Sequence, residues 1–182
     1  MRLSTVLDAV AVSTPLGLAI GRVGCLCEGC CHGTSASLPW GVVYPKIVSV
    51  DGDAVGTPAY LAHLRDGLIP FTADQSVAVH PVQLYEALGM CIVFLVLLHL
   101  WKGERLTGRL APLFIVLYCG LRFALEFIRV QEPVLWGLTL AQLLSLAMTG
   151  GAVLWLALGK KARAMQARGT EELPVSVRSS RD

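Results

Sequence analysis

The chain is poor in charged residues. Of its 182 residues, 15 are basic and 13 are acidic, so 15% carry a charge, whereas soluble domains average about 25%. The net charge of +2 is too small to attract a polyanion, which argues against a nucleic-acid-binding module. Because 54% of the residues are hydrophobic, the composition also excludes a disordered chain and most cytosolic enzymes. We therefore expect a lipid bilayer to be the solvent of this protein.

Four apolar runs have the length of a membrane-spanning helix, about 20 residues for about 30 Å of hydrocarbon. They lie at about 5–23, 82–101, 110–128 and 138–158. Because a spanning backbone must satisfy its own hydrogen bonds, these runs predict helices. The predicted fold class is an all-α integral membrane protein, with a multi-pass membrane domain over 1–158. An outer loop, 24–80, would cap the bundle, and a basic, disordered tail would follow over 159–182.

The basic residues predict how the bundle is oriented. With four spans both termini lie on one side of the membrane, and that side carries ten basic residues against two in the long loop. The ten are Arg2, Lys102, Arg105, Arg109, Lys160, Lys161, Arg163, Arg168, Arg178 and Arg181. Because positive charge is enriched in cytoplasmic loops, both termini are predicted to be cytoplasmic, and loops 24–80 and 129–137 to face outward.

Charged side chains inside the third predicted helix point to a function. Arg122, Glu126 and Arg129 are spaced i, i+4, i+7, which places them on one helix face. A charge near the centre of a membrane costs about 2.5–3.5 kcal/mol on insertion scales. Charges that are nevertheless present in a span usually pair with one another or form a functional site.

The other predicted helices carry polar groups at the same depth. Arg22 ends the first helix, "HPVQLYE" at 80–86 begins the second, and Gln142 and Ser145 lie in the outer half of the fourth. Two arginines in a low dielectric suit a phosphate, because the guanidinium fork matches its oxygens and keeps its charge. This layer predicts a site for a phospholipid headgroup, with Glu126 as counter-ion. The alternative is an ion-pair network that only holds the bundle together.

The motifs that carry these residues resemble those of the prolipoprotein diacylglyceryl transferase family. The family patterns FGLGxGRxGN, HPxQLYE, RFxxEFxR and LTxGQxLSxxM correspond here to "LGLAIGRVGC" at 16–25, "HPVQLYE" at 80–86, "RFALEFIR" at 122–129 and "LTLAQLLSLAM" at 138–148. A later family glycine corresponds to Gly33, and Asp8 precedes the first motif as an aspartate does in the family. The resemblance implies the C-terminal part of the transferase fold.

The resemblance also implies a reaction. Family members move a diacylglyceryl group from phosphatidylglycerol to the lipobox cysteine of a prelipoprotein in the bacterial inner membrane, and glycerol 1-phosphate leaves. The residues that would be catalytic are Arg22, Arg122 and Glu126, with His80 at a depth from which it would act as base. The residues that would bind substrate are Gly24, Gly33, Gln83, Tyr85, Glu86, Arg129 and Gln142. The partners are phosphatidylglycerol, the prelipoprotein signal peptide and the bilayer, and no cofactor is expected.

A cysteine cluster departs from the family pattern. Where the family has GNFxNGExxG, this chain has "GCLCEGCCHG" at 24–33. The cluster comprises Cys25, Cys27, Cys30, Cys31 and His32. Three interpretations stay open: disulfides in an oxidising compartment, a soft-metal site for zinc or copper(I), or a thiol with a direct chemical role. The alternative function is a non-catalytic relative that binds lipid, a soft metal or a thiol partner through this cluster.

The outer loop contains one further helical signal. "AYLAHLRDGL" at 59–68 predicts a short amphipathic helix that lies at the membrane interface. We expect His63, within this segment, to lie at the surface.

Overall fold

The computed structural model describes residues 3–48, 54–103, 108–131 and 134–171. The helices in these ranges are α1 (Leu3–Glu28), α2 (Pro58–Arg65), α3 (Val82–Lys102), α4 (Leu110–Glu126) and α5 (Leu140–Glu171). Two short strands, β1 (Lys46–Val48) and β2 (Ala54–Gly56), pair antiparallel between α1 and α2. The all-α membrane fold class is confirmed. We call the segment 29–81 the cap, and the end of the bundle that it covers the cap end.

Three described helices are long and apolar enough to cross a membrane. They are Leu3–Glu28, Val82–Lys102 and the Leu140–Gly159 part of α5. The fourth, α4, has 17 residues, which is about 25 Å at 1.5 Å per residue. It is therefore shorter than the span predicted over 110–128, and it ends at Glu126.

The first helix extends beyond the predicted 5–23 at both ends. It continues through Gly24 to Glu28, and no proline lies between Val23 and Gly29. Gly29 then adopts a φ of +81°, the left-handed conformation in which helices commonly end at a glycine. The predicted outer loop thus begins at Gly29 rather than at 24, and Cys25 and Cys27 are helical.

The core of the bundle forms where α3 packs against α1 and α4. Its buried members are Val12, Ala19, Ala87, Met90, Val93, Leu97 and Leu110. Gly89 allows a close approach of α3 to α4, because a side-chain carbon added there would overlap Leu121. On its other side α4 packs against α5.

Three polar side chains cap the starts of two helices inside the bundle. The carboxylate of Asp8 accepts hydrogen bonds from the backbone N–H groups of Gly108, Leu110 (2.9 Å) and Ala111 (3.2 Å). Asp8 in α1 thereby caps α4, a helix distant in sequence, and satisfies donors that a helix start leaves unpaired. At the start of α5, Thr139 and Gln142 cap the helix reciprocally, as described below for the site.

The fifth helix continues past its predicted end near 158. The structure shows helix as far as Glu171, whereas the sequence analysis assigns 159–182 to a disordered tail. Residues 159–171 contain alanine, lysine, arginine, methionine and glutamine, which are good helix formers, and Pro174 is the first proline after them. The remainder of the predicted tail, 172–182, lies outside the described residues.

The cap is held together by backbone pairing and a small core of its own. Val79 pairs with both Ser35 and Val42 in isolated bridges, and it packs with Tyr44 and Ala59 in a buried cluster. The predicted helix at 59–68 is present as α2, which begins with a proline at its first position, where the missing N–H costs nothing.

Candidate functional site

The arginine of the first motif forms an ion pair between two helices. Arg22 Nη2 in α1 lies 2.9 Å from Glu86 Oε1 in α3. The side chain of Glu86 is only 4% exposed, and that of Arg22 is 21% exposed. A guanidinium has five N–H donors, so this contact leaves most of the donors of Arg22 available for another acid.

The arginine of the third helix forms a second ion pair. Arg122 Nη1 lies 2.9 Å from Glu126 Oε2, four residues later in α4, and the glutamate side chain is 1% exposed. The other carboxylate oxygen, Oε1, accepts a hydrogen bond of 2.9 Å from the Thr139 hydroxyl. Glu126 therefore joins α4 to the start of α5 as well as balancing the charge of Arg122.

A cavity opens beside the second ion pair. Its volume is about 300 Å³, and we call it the lateral cavity. It is lined by Arg122, Glu126, Gln131, Val134, Thr139, Leu140, Ala141 and Leu144. One wall is charged and the other is apolar, which suits an amphiphile whose anionic group faces Arg122.

The two ion pairs lie at similar heights in the bundle. Gly89 in α3 contacts Leu121 in α4, and the two helices run in opposite directions. Glu86 is three residues from Gly89 toward the cap end, and Arg122 is one residue from Leu121 in the same direction. At 1.5 Å per residue the two positions differ in height by about 3 Å. The sequence-based prediction of one polar layer therefore agrees with the packing of α3 against α4.

The third charged residue of that motif does not share the helix face. Because α4 ends at Glu126, Arg129 lies beyond the helix, and the predicted i, i+7 placement is wrong for it. Its backbone instead pairs with Gly33 of the cap, and Thr34 N–H donates to Ile128 O at 2.9 Å. Among the described residues, no hydrogen-bond partner satisfies the buried Nε of Arg129.

Gly33 allows two site motifs to pack against each other. Its N–H donates to His80 O at 3.0 Å. A side-chain carbon at Gly33 would lie 2.6 Å from Val82 Cγ2, 2.7 Å from His80 Cβ and 2.8 Å from Ile128 O. The glycine is therefore required by packing. Gly24, in contrast, has nothing within 4 Å of such a carbon.

The second motif points its side chains in different directions. Gln83 is 1% exposed and donates from Nε2 to Cys30 O at 2.6 Å, so it anchors the backbone at Cys30. Tyr85 OH accepts a hydrogen bond of 2.8 Å from Trp40 Nε1. His80 is half-buried against the Tyr85 ring, and its Nδ1 has no partner within the described part of the chain.

Gln142, predicted to bind substrate, caps the start of α5 together with Thr139. Its Oε1 accepts from Thr139 N–H at 3.0 Å, while its own N–H donates to Thr139 Oγ1 at 3.3 Å. This reciprocal pair is a capping box at the start of α5. The pattern Thr-x-x-Gln that precedes an apolar run is the sequence signal for it.

All six cysteines are free thiols in the structure. The disulfide interpretation thus has no counterpart in it, and the described residues contain no group of three His, Cys, Asp or Glu side chains placed to hold a metal. Cys30 Sγ lies 3.8 Å from Cys25 O. Burial and its cysteine neighbours Cys25 and Cys31 raise the pKa of Cys30 to about 12.

The sequence analysis placed His63 at the surface, which is wrong. His63 is 3% exposed, and its ring lies edge-on to that of His32, with centroids 5.3 Å apart. Burial and the neighbouring His32 lower the pKa of His63. The signal was available, because His63 follows the buried residues Ala59 and Tyr60 by four and three positions and so shares their helix face.

A second cavity lies between the cap and the end of α4. Its volume is about 510 Å³, and we call it the cap cavity. It is lined by Cys31, His32, Thr34, Ser35, Ala62, His63, Arg65, Asp66, Leu68, Arg129, Val130 and Gln131. Cys31 and His32 of the cysteine cluster therefore meet Arg129 at one cavity, although the sequence gives no indication that they are neighbours.

Comparison with known proteins agrees with the motifs. A transferase from Xanthomonas campestris, named phosphatidylglycerol–prolipoprotein diacylglyceryl transferase, is 36% identical over 88% of this chain and 54% of its own length. Proteins of the same name from Wolinella succinogenes and Clostridioides difficile are 33% and 32% identical, over 49% and 50% of their lengths. The chain thus spans about half the length of these relatives. No solved structure matches it. A model of the prolipoprotein diacylglyceryl transferase family matches residues 1–158, and the chain belongs to that family.

Proposed function

We propose that this protein transfers a diacylglyceryl group from phosphatidylglycerol to the thiol of a lipobox cysteine in a prelipoprotein. The observation that carries the proposal is the pair of guanidinium groups, Arg22 and Arg122, each held by a buried glutamate at nearly one height. Family membership supports the reaction class. The names of the matched relatives state the lipid donor and the acceptor.

The two arginines suit the leaving group. In the transfer, a thiolate sulfur bonds to the glycerol carbon of the diacylglyceryl group, and the bond from that carbon to the phosphate oxygen breaks. The electron pair of the broken bond stays on the phosphate of glycerol 1-phosphate. Preorganised cations at the developing charge stabilise such a transition state. We assign Arg22 and Arg122 to this role, with Glu126 and Glu86 fixing the orientation of the two guanidiniums.

The thiol of the acceptor must lose a proton, because the thiolate is the nucleophile. We assign the proton acceptor to His80, whose buried Nδ1 has no partner in the described ranges. A ring nitrogen without a partner is free to accept a proton.

The remaining predicted site residues divide by what they contact. Arg129, whose Nε is unpaired among the described groups, and Tyr85 are proposed to contact substrate. Gln83, Gly33 and Gln142 are proposed to shape the site through the backbone contacts given above. The space beside Gly24 leaves room for an acyl chain against α1.

We further propose that the protein lies in the bacterial inner membrane with both termini in the cytoplasm. The long apolar helices support a location in a membrane, and the excess of basic residues beside the termini supports the orientation. In that orientation the cap lies on the side at which prelipoproteins emerge, and the arginine pair lies at the depth of the outer-leaflet headgroups.

The test is transfer by the purified protein in phosphatidylglycerol vesicles. A peptide with a lipobox cysteine should gain the mass of a diacylglyceryl group. Arg22→Ala and Arg122→Ala should each lower the rate by a factor of about 100 to 1,000, the usual effect of removing one such donor.

Arg65→Ala is the matched control, because the Arg65 side chain is 80% exposed and its ion-pair partner among the described residues is Asp66, also at the surface. It should leave the rate within about twofold. Absence of product from folded wild-type protein would refute the proposal. Full activity of both arginine variants would refute the assignment of the site.

A further inference from the structure

Two cavities with different walls meet beyond the end of α4. Gln131 lines both the lateral cavity and the cap cavity, so the two spaces adjoin at this residue. The lateral cavity has an apolar wall that includes Leu140 and Leu144. The wall of the cap cavity instead includes the hydroxyl-bearing residues Thr34 and Ser35. A group that passes from the lateral cavity to the cap cavity therefore exchanges an apolar wall for a polar one.

The cap cavity contains a cation that can bind an anionic ligand. Two arginines line this cavity. Arg65 pairs with Asp66 at 3.0 Å, whereas Arg129 forms no ion pair with a carboxylate of the described residues. The side chain of Arg129 is half-buried, and its buried Nε has no hydrogen-bond partner among the same residues. A guanidinium in this setting favours a phosphate or a carboxylate, because its N–H fork matches their oxygens.

The cap cavity also contains a hydrogen-bond acceptor for a hydroxyl group. His32 lines the cavity, and its Nδ1 lies 3.1 Å from Gly33 O. Because a carbonyl oxygen only accepts, Nδ1 carries the proton, and Nε2 of the neutral ring is left as an acceptor. The ring of His32 packs edge-on against that of the buried His63, with centroids 5.3 Å apart. The cavity therefore combines a cation for an anionic group with a fixed acceptor for a hydroxyl.

The leaving group of the proposed transfer has the matching chemistry. When the bond from the glycerol carbon to the phosphate oxygen breaks, a phosphodiester with a single negative charge becomes a monoester with about −1.5 to −2 charges at pH 7. The added charge strengthens its attraction to a further guanidinium. The leaving group carries hydroxyls and no acyl chain, so the apolar wall of the lateral cavity no longer holds it. The cap cavity, about 510 Å³, has the size of a small-molecule pocket.

We propose that the cap cavity binds a polyol phosphate monoester, the free leaving group of the transfer, through Arg129 and His32. Arg129 binds the phosphate, and His32 Nε2 accepts a hydrogen bond from a hydroxyl of the polyol. The site removes the phosphate from Arg22 and Arg122, so that the next lipid can bind there. The identity of the ligand rests on the proposed function. An intact phospholipid headgroup has the same glycerol phosphate chemistry, so the experiment compares the free group with the lipid-bound one.

The experiment follows the protection of a thiol in the full-length protein, reduced and purified in detergent without lipid donor or acceptor peptide. Cys31 lines the cap cavity and Cys27 does not, although both thiols are exposed. Glycerol 1-phosphate at about ten times its Kd should slow the modification of Cys31 by iodoacetamide about tenfold. Cys27 should react at an unchanged rate. Cleavage after Glu28 separates the two cysteines for mass spectrometry.

Two arginine variants test which side chain binds the phosphate. Arg129→Ala should raise the Kd obtained from Cys31 protection about tenfold or more, and Arg129→Lys, which keeps the charge and loses the fork, should lie between it and wild type. Arg65→Ala is the matched control, because it removes an arginine of the same wall whose charge Asp66 already balances, and its Kd should stay within about twofold. An unchanged Kd in folded Arg129→Ala would overturn the assignment. If that variant fails to fold, protection of wild-type Cys31 decides.

Three other probes define the ligand. Inorganic phosphate should bind about two- to tenfold more weakly than glycerol 1-phosphate, and His32→Ala should remove this difference; equal Kd values in wild type would overturn the recognition of a polyol. Vesicles of phosphatidylglycerol are compared with vesicles of phosphatidylcholine, which has the same phosphodiester without the polyol. Protection of Cys31 by phosphatidylglycerol but not by free glycerol 1-phosphate would assign the cavity to the intact headgroup and overturn the proposal.

The binding experiment is independent of the transfer assay. Because neither the lipid donor nor the acceptor peptide is present, Cys31 protection by glycerol 1-phosphate does not require turnover. Transfer of a diacylglyceryl group without protection of Cys31 would refute the cap-cavity site and leave the proposed function intact. Protection without transfer would support the site and refute the proposed function.

Discussion

Removal of the Asp8 carboxylate should weaken the bundle more than any surface charge. Asp8 is 1% exposed and accepts three backbone hydrogen bonds at the start of α4. A hydrogen bond to a charged group contributes about 1.5–3 kcal/mol, but the three are not independent, and replacement of a single helix cap by alanine costs about 0.5–2 kcal/mol. Between these limits we expect Asp8→Ala to lower the free energy of unfolding by about 3 kcal/mol.

The asparagine variant separates the contacts. Oδ1 accepts from both Leu110 and Ala111, and an asparagine oxygen can replace it. The asparagine amide would then face the Gly108 N–H, a donor against a donor. We therefore expect Asp8→Asn to cost about half as much as Asp8→Ala, or about 1.5 kcal/mol.

The measurement is unfolding in mixed micelles with increasing sodium dodecyl sulfate, followed by tryptophan fluorescence. Asp66→Asn is the control, since this carboxylate pairs with Arg65 at the surface, and its effect should stay below about 0.5 kcal/mol. If Asp8→Ala is no more destabilising than Asp66→Asn, the cap does not hold α4. If Asp8→Asn matches Asp8→Ala, the bonds to Leu110 and Ala111 contribute nothing.

Three further predictions concern the cap end. Gly33→Ala should destabilise the protein by about 1–3 kcal/mol through overlap with Ile128 O. Gly24→Ala, the control, should be neutral or stabilising by up to about 1 kcal/mol. Equal thermal midpoints for the two variants would contradict the close packing around Gly33. The lowered pKa of His63 keeps its ring neutral in the folded state, so the unfolded chain binds one proton more. The free energy of unfolding should therefore fall as the pH drops below about 6.5. In thermal scans His63→Gln should flatten this pH dependence, whereas His99→Gln, at an exposed position, should leave it unchanged. At pH 8, iodoacetamide should modify Cys27 and Cys31 well before Cys30, whose pKa is about 12; equal labelling in peptide mass spectra would show that Cys30 is not protected.

Local patterns predicted most of the helices. Apolar runs of spanning length identified the apolar helices α1, α3, α4 and α5 and a membrane protein, since the cost of unpaired backbone groups in lipid leaves few other structures. Three of these helices are long and apolar enough to cross a membrane. Errors occurred at helix ends, where hydropathy changes gradually. The run "CLCE" continued α1, and helix-forming residues continued α5 to Glu171. Helix α4 ends at Glu126, before Arg129. The prediction that Arg129 shares a helix face with Arg122 assumed one continuous helix and was therefore wrong.

The sequence alone determined the membrane class, the family and the presence of a charged layer, because charges inside apolar runs are visible without a fold. The i, i+4 spacing already indicated Glu126 as the counter-ion of Arg122, but only the tertiary structure decided the other partners of those charges. Glu86 pairs with Arg22 from another helix, Thr139 joins Glu126 to α5, and Asp8 caps a helix about a hundred positions away. Side-chain burial and pairing depend on which surfaces meet, and no local pattern in the chain encodes the contact between Gly89 and Leu121 that brings these helices together.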